Sequence, residues 1–345
     1  MQKPLTLRIM TRRQRLKYGN LSSIRWACFY SHTFLNSGFS IGSAGFQYAF
    51  YKTRYFQTIR LSISEAERNV NESFSACGSG ILMRQLRILL ERMMRDQVRR
   101  RRMPEEFGGL PIMVSTAGGL RYFFKSISQI DPDLLSAARM LIRKGDTVWD
   151  IGANIGLFTV AAAGLAGSKG RVVAFEPDTS LVALLRRTAS LQPNEAAELL
   201  IIPVGMAGVT GFRSFAIASR ARASNALAEY GNSQTGGVRE LQTIMCLSLD
   251  ECLKLLPSPD VVKIDVEGAE AELFDASSRF LRDARPALAI EVSPRNSAEI
   301  GRILVGSDYR LFDGSKPLLP NSDIEGPAWN TIAIPAEKAG RFIQS

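Results

Sequence analysis

Val148-Trp-Asp-Ile-Gly-Ala-Asn-Ile-Gly156 decides the reading of this chain. An apolar strand runs into Gly152, turns through Ala153-Asn154-Ile155 and enters a helix at Gly156. In a doubly wound sheet, ligands sit beyond the carboxyl ends of the strands. Gly152 would allow close backbone approach to a ligand, and Gly156 tight packing of helix on strand. The first helical N–H groups would face a ligand carboxylate. The pattern is G-x-x-x-G. Asn154 stands where the dinucleotide fingerprint has its central glycine, which disfavours close passage of a pyrophosphate.

The next strand ends in Ala174-Phe-Glu-Pro177, which places Glu176 26 residues after Asp150. A carboxylate there can accept both ribose hydroxyls of a nucleoside. Pro177 stops the strand and fixes the turn. Further on, Val261-Val-Lys-Ile-Asp-Val-Glu-Gly-Ala-Glu270 is an apolar strand that exposes polar residues at its end. Strand alternation predicts Lys263, Asp265 and Glu267 on one face. Two carboxylates and an ammonium crowded together are costly unless they hold a ligand or one another. Glu291, ending the following strand, points to the same rim.

Outward from these motifs, strands and helices alternate as in parallel α/β proteins. Strands are predicted at 147–151, 171–175, 199–204, 212–218, 241–247, 261–266 and 287–292. Helices are predicted at 132–142, 157–165, 180–191, 249–255 and 270–280. Strands at 309–312 and 331–334 close the chain, as an antiparallel pair at one edge. Residues 113–115 and 120–124 read as a hairpin around Gly118-Gly119. The polar stretch 219–239, with Arg220, Arg222, Ser224 and Asn225, reads either as a cover over the acceptor or as a surface loop.

The net charge of +10 is unevenly spread. Residues 1–102 hold 19 basic and 5 acidic residues, the remainder 24 basic and 28 acidic. The larger part therefore shows no field suited to gripping nucleic acid. Residues 1–82 lack clear periodicity and read as a basic, poorly ordered extension, or as sequence upstream of a natural start at Met83, Met93 or Met94. Residues 83–104 read as a basic amphipathic helix and link, with Leu86, Leu89, Leu90, Met93 and Met94 near one face. That helix either packs on the domain or makes weak contact with an acidic membrane surface. No stretch is apolar enough to span a bilayer. The four cysteines, Cys28, Cys77, Cys246 and Cys252, form no C-x-x-C pair, which favours a reducing, cytoplasmic setting. His32 is the single histidine, so a His general base near the motifs is excluded.

D-I-G-A-N-I-G, F-E-P and K-I-D-V-E-G-A-E, in this order and spacing, resemble the FkbM family of methyltransferases over residues 110–335. Ser248-Leu-Asp250 and Trp329-Asn-Thr-Ile belong to the same resemblance. It implies a class I, Rossmann-like fold: a doubly wound, seven-stranded, mostly parallel sheet in a domain spanning 105–345. It implies S-adenosyl-L-methionine as cofactor and a hydroxyl of a sugar, glycolipid or natural product as acceptor. By that match Asp150, Gly152, Asn154 and Gly156 cradle the methionyl part and Glu176 holds the ribose. Asp265 and Glu267 lie beside the transferring methyl. The base is then Asp265, Glu267, Glu291 or solvent, with Lys263 as charge partner of Asp265. The resemblance demands no metal, although Asp265, Glu267 and Glu291 have oxygens for one. Val204-Gly-Met-Ala-Gly208 leaves adenine to backbone and apolar contacts. Two other readings stay open: an NAD-linked or nucleotide-sugar oxidoreductase, and a non-catalytic binding protein on the same fold.

Overall fold

The computed structural model describes residues 97–116, 121–218, 225–230 and 237–343. In chain order the strands are β1 (Val98–Arg102), β2 (Pro111–Ser115), β3 (Thr147–Ile151), β4 (Arg171–Phe175), β5 (Glu198–Ile202), β6 (Gly205–Met206), β7 (Gly211–Ala218), β8 (Ala226–Leu227), β9 (Val238–Leu247), β10 (Val261–Ile264), β11 (Ala287–Glu291), β12 (Tyr309–Asp313) and β13 (Asn330–Pro335). The main helices are α1 (Pro132–Leu141), α2 (Leu157–Ala166), α3 (Thr179–Ala189), α4 (Leu249–Leu255), α5 (Glu270–Asp275) and α6 (Ser297–Gly306).

Seven strands form one sheet in the order β12-β13-β11-β10-β3-β4-β5. The five strands from β11 to β5 are parallel, and β13 pairs antiparallel with both β11 and β12. The central strands are buried on both faces, which is why they read as apolar runs. Trp149 and Ile151 enter a core with Phe175, Phe280, Leu273 and Ile300. Asp150 lies between them in sequence and so points to the opposite face, where α2 packs. Asp131 caps α1 by accepting from Leu134 N at 3.2 Å, with Pro132 in the first turn.

A second sheet, β6-β9-β7-β8, carries Phe215, Ile217, Leu227 and Ile244 on its inner face. That face packs on Ala269 and Val266, just beyond β10. Only its two long strands, β7 and β9, were expected, and they pair antiparallel through a bulge at Ile217/Ala218.

The structure corrects several expectations. Residues 98–102 are a strand, where a helix was expected to run through Arg99–Arg102. Pro111–Ser115 is buried throughout and needs a hydrogen-bonding partner, which β1 supplies. Arg101 donates to Tyr122 O at 3.0 Å and Arg102 to Gly109 O at 3.0 Å, so these arginines staple the hairpin. With β1 beside β2, the expected partner 120–124 is not used, and Arg121–Phe124 is a helical turn. The rest of the expected amphipathic helix, from 83, lies outside the described residues, as does the extension 1–82. The helix from Glu270 stops at Asp275, and Phe280–Ala284 is a separate π turn. Helix α6 was not anticipated. Among the described residues no helix is long and apolar enough to cross a membrane.

Candidate active site

The turn after β3 is built from left-handed residues. Gly152, Asn154 and Gly156 have φ of 73°, 53° and 91°. A Cβ on Gly152 would collide with the Asp265 carbonyl oxygen. The close approach expected toward a ligand is therefore made first to the neighbouring strand. On Gly156 a Cβ would meet Leu185 Cδ2 of α3 at 2.6 Å, so this glycine serves packing, as expected.

Glu176 is buried, yet both its oxygens are held. Asn154 N donates to Oε2 at 2.8 Å, and Asp178 N donates to Oε1 at 2.8 Å. Burial pushes its pKa up to about 7 against the pull of those two N–H groups. Asp178 also caps α3, accepting from Ser180 N at 2.9 Å. The two turns that follow β3 and β4 are thus locked together through one carboxylate.

Lys263 is the hub beneath the rim. Its register partner on β3 is Asp150, so the two side chains share a face. Lys263 Nζ donates to Gly152 O at 2.7 Å and Ile151 O at 3.2 Å. It stands 3.4 Å from Asp150 Oδ1 and 3.5 Å from Asp265 Oδ2. Burial opposes its charge, but Asp150 and Asp265 outweigh it and raise the pKa. Asp150 is wholly inaccessible and accepts from Thr159 Oγ1 at 2.5 Å.

Beyond Ile264 the alternation breaks, because Glu267 is left-handed at φ 50°. Its neighbour Gly268 donates to Glu270 Oε1 at 2.7 Å, and Asn296 Nδ2 donates to Glu270 Oε2 at 2.8 Å. Those bonds hold a conformation that a non-glycine residue adopts only under strain. Burial, then Asp265 and Glu291, push the Glu267 pKa up to about 8. Glu291 is pushed up to about 7 by burial and by Asp265, against Lys263. Among the described residues no three His, Cys, Asp or Glu side chains are grouped to hold a metal ion.

These elements enclose a cleft with about 590 Å³ of empty space, its open mouth included. Gly152, Asn154, Glu176, Asp265 and Glu267 all line it. Val204, Gly205 and Met206 line it where the adenine contacts were expected, and Phe215, Leu227 and Ile244 of the second sheet form a wall. Asp150, Gly156, Lys263 and Glu291 do not line it; they stand behind those that do. Sequence reasoning gave no role to Asp178, one residue after F-E-P, or to Glu270, the last residue of K-I-D-V-E-G-A-E; their carboxylates shape the two turns. Ser248 and Asp250 prove structural: Ser248 caps α4, and Asp250 accepts from Phe280 N at 2.8 Å. Arg220, Arg222 and Ser224 lie outside the described residues. Cys246 and Cys252 are free and buried.

A nucleoside with an amino-acid chain fits this lining. Glu176 has two lone-pair sites left after its backbone bonds, and the buried Asn154 Oδ1 has no hydrogen-bond partner. A parallel sheet with an antiparallel edge pair, an acid after the second strand and a cleft at the strand ends define a class I methyltransferase fold. Residues 150–313 match the family described as the Methyltransferase FkbM domain. Its cofactor is S-adenosyl-L-methionine. The hexuronic acid methyltransferase AglP of Haloferax volcanii is 25% identical over 185 residues, which cover 50% of this chain and 70% of that protein. Among solved structures, methyltransferase FkbM from Methylobacillus flagellatus KT aligns at 15% identity and TM-score 0.34, over 74% of this chain and 60% of that one. Precorrin-6y C5,15-methyltransferase from Geobacter metallireducens GS-15 aligns at 14% identity and TM-score 0.35, over 61% and 87%.

Proposed function

We propose that this protein methylates a hydroxyl oxygen of a sugar-like acceptor. The observation that carries this reading is that one cleft is lined both by hydrogen-bonding groups suited to a nucleoside, at Asn154 and Glu176, and by carboxylates at Asp265 and Glu267. Glu176 accepts the ribose hydroxyls, and Asn154 Oδ1 accepts from a donor of the amino-acid chain. The bound cofactor supplies a methyl group activated on a sulfonium centre. Asp265, paired with Lys263, orients the acceptor hydroxyl and takes its proton as the oxygen gains the methyl. Burial raises Glu267 to about 8 and Glu291 to about 7, so both are partly protonated at neutral pH and become better able to serve that role as pH rises. Asp150 and Gly156 support this arrangement from behind the cleft wall.

The hexuronic acid relative favours a glycan acceptor over other hydroxyl compounds. We assign residues 105–345 to the catalytic domain and add β1 to it, because β1 pairs with β2. The test is a panel of sugars, uronic acids and glycolipids incubated with labelled cofactor, with the methylated atom located by mass spectrometry and NMR. An ether methyl on a former hydroxyl is expected. A methyl ester or N-methyl product would overturn the hydroxyl assignment and leave the methyltransferase standing.

A further inference from the structure

Asn225 lies at the start of β8 and lines the cleft, and it makes two hydrogen bonds that neither the family match nor the proposed chemistry requires. Ala218 N, at the end of β7, donates to Asn225 Oδ1 at 2.8 Å. Asn225 Nδ2 donates to Asp178 Oδ2 at 2.9 Å. Asp178 is the residue whose N–H holds Glu176 Oε1 and whose other oxygen caps α3. A single amide thus joins three things: the end of β7, the second sheet at β8, and the turn that presents the ribose-binding acid. The inner face of the second sheet packs through Phe215, Ile217, Leu227 and Ile244, apolar contacts that are non-directional, while Arg213 and Tyr230 bond to Glu272 of α5.

We infer that Asn225 is a positioning residue that fixes the second sheet against the Glu176 turn and so sets the cofactor side of the cleft. The inference rests on the reading of Glu176 as the ribose acid. Only an amide suits this position. Its oxygen must accept from a backbone N–H while its nitrogen donates to a carboxylate. An aspartate would keep the first bond and put two carboxylates face to face in the second.

The pattern also has a mirror solution, reached by combining Asn225→Asp with Asp178→Asn. Ala218 N then still donates to one oxygen of the carboxylate at position 225. The amide nitrogen at position 178 donates to the other oxygen, and the amide oxygen at 178 still accepts from Ser180 N. Every hydrogen bond named above is kept, with one donor reversed.

The experiment measures S-adenosyl-L-methionine affinity by isothermal titration for the wild type, Asn225→Asp, Asn225→Ala, Asp178→Asn and the Asn225→Asp/Asp178→Asn double variant, with thermal midpoints taken without ligand. Wild-type binding is the control on the underlying reading: if it is absent, the cofactor assignment fails, not the positioning of Asn225. The expected result is a loss of at least about tenfold in Asn225→Asp, equal to about 1.4 kcal/mol. The loss should shrink as pH falls and the new carboxylate protonates, and affinity should return to within about threefold of wild type in the double variant. Wild-type-like affinity in Asn225→Asp overturns the inference. So does a double variant no tighter than Asn225→Asp at an unchanged thermal midpoint. Equal loss in Asn225→Ala and Asn225→Asp, with no pH dependence, would also overturn it, because the charge would then be irrelevant.

Discussion

The two sides of the cleft are built on opposite principles. On the cofactor side, Glu176, Asn154, Asp178 and Asn225 are tied by short hydrogen bonds to backbone groups and to one another. Those bonds are made within the chain itself, which lowers the ordering cost of binding. Among the groups proposed for the acceptor, Asp265 stands 3.5 Å from the buried Lys263 ammonium, and burial pushes Glu267 and Glu291 toward protonation. That side stores unfavourable electrostatics, released by a partner or a proton. The backbone of the two binding turns is satisfied from within the chain, whereas Asn154 Oδ1 and the raised carboxylates are left open to a ligand or a proton.

The comparison can be broken most forcefully at Lys263. Lys263→Met would leave Asp150 buried beside an apolar chain. The expected loss is about 3–5 kcal/mol of folding stability, the usual result of removing one partner of a buried pair. Denaturant unfolding reads it; a midpoint close to wild type would mean that Asp150 is already satisfied by Thr159. Asp265→Asn keeps shape and removes charge from the acceptor side. Turnover should drop by about 10²–10⁴, with cofactor affinity changed less than about tenfold. If affinity collapses and saturated turnover is normal, Asp265 belongs to the cofactor side and the division is wrong.

Glu176→Ala should weaken cofactor binding by about 1.5–3 kcal/mol by titration, the worth of charge-assisted hydrogen bonds to ribose. It also strips the N–H groups of Asn154 and Asp178 of their acceptor, so the upper end of that range is expected. A smaller effect comes from protons. Glu176, Glu267 and Glu291 ionise in the folded protein at about 7, 8 and 7, but near 4.5 when unfolded. The native state therefore binds more protons between those values, and stability falls as pH rises through that window. The thermal midpoint of the ligand-free protein should decline from about pH 5 to about pH 8, less steeply in Glu267→Gln. A flat profile in both would show that the acceptor side is not strained. The smallest effect belongs to the chain start. A protein beginning at Met83 keeps β1 and should hold its thermal midpoint within about 2 °C and its cofactor affinity unchanged.

Sequence reading succeeded where the signal was local. Strands β3, β4 and helix α4 match the expected limits residue for residue, because an apolar run bounded by Gly or Pro has few alternatives. It failed at β1, where four arginines favour a helix in isolation. Only the hydrogen-bond demand of buried Pro111–Ser115 turns them into a strand, and that demand comes from a different segment.

By itself, the sequence determined the succession of strands and helices along the chain, the turn at Gly152–Gly156 and the acids that end three strands. Each follows from side-chain periodicity or from a backbone conformation open mainly to glycine and asparagine. Tertiary structure decided what those acids touch. Lys263 Nζ reaches Asp150, far earlier in the chain, because parallel register sets the two side by side. Asn225 meets Asp178 across 47 residues because the second sheet folds back over the first. Whether a carboxylate lines the cleft, like Glu267, or stands behind it, like Asp150, depends on what packs around it, and that packing is a property of the folded chain.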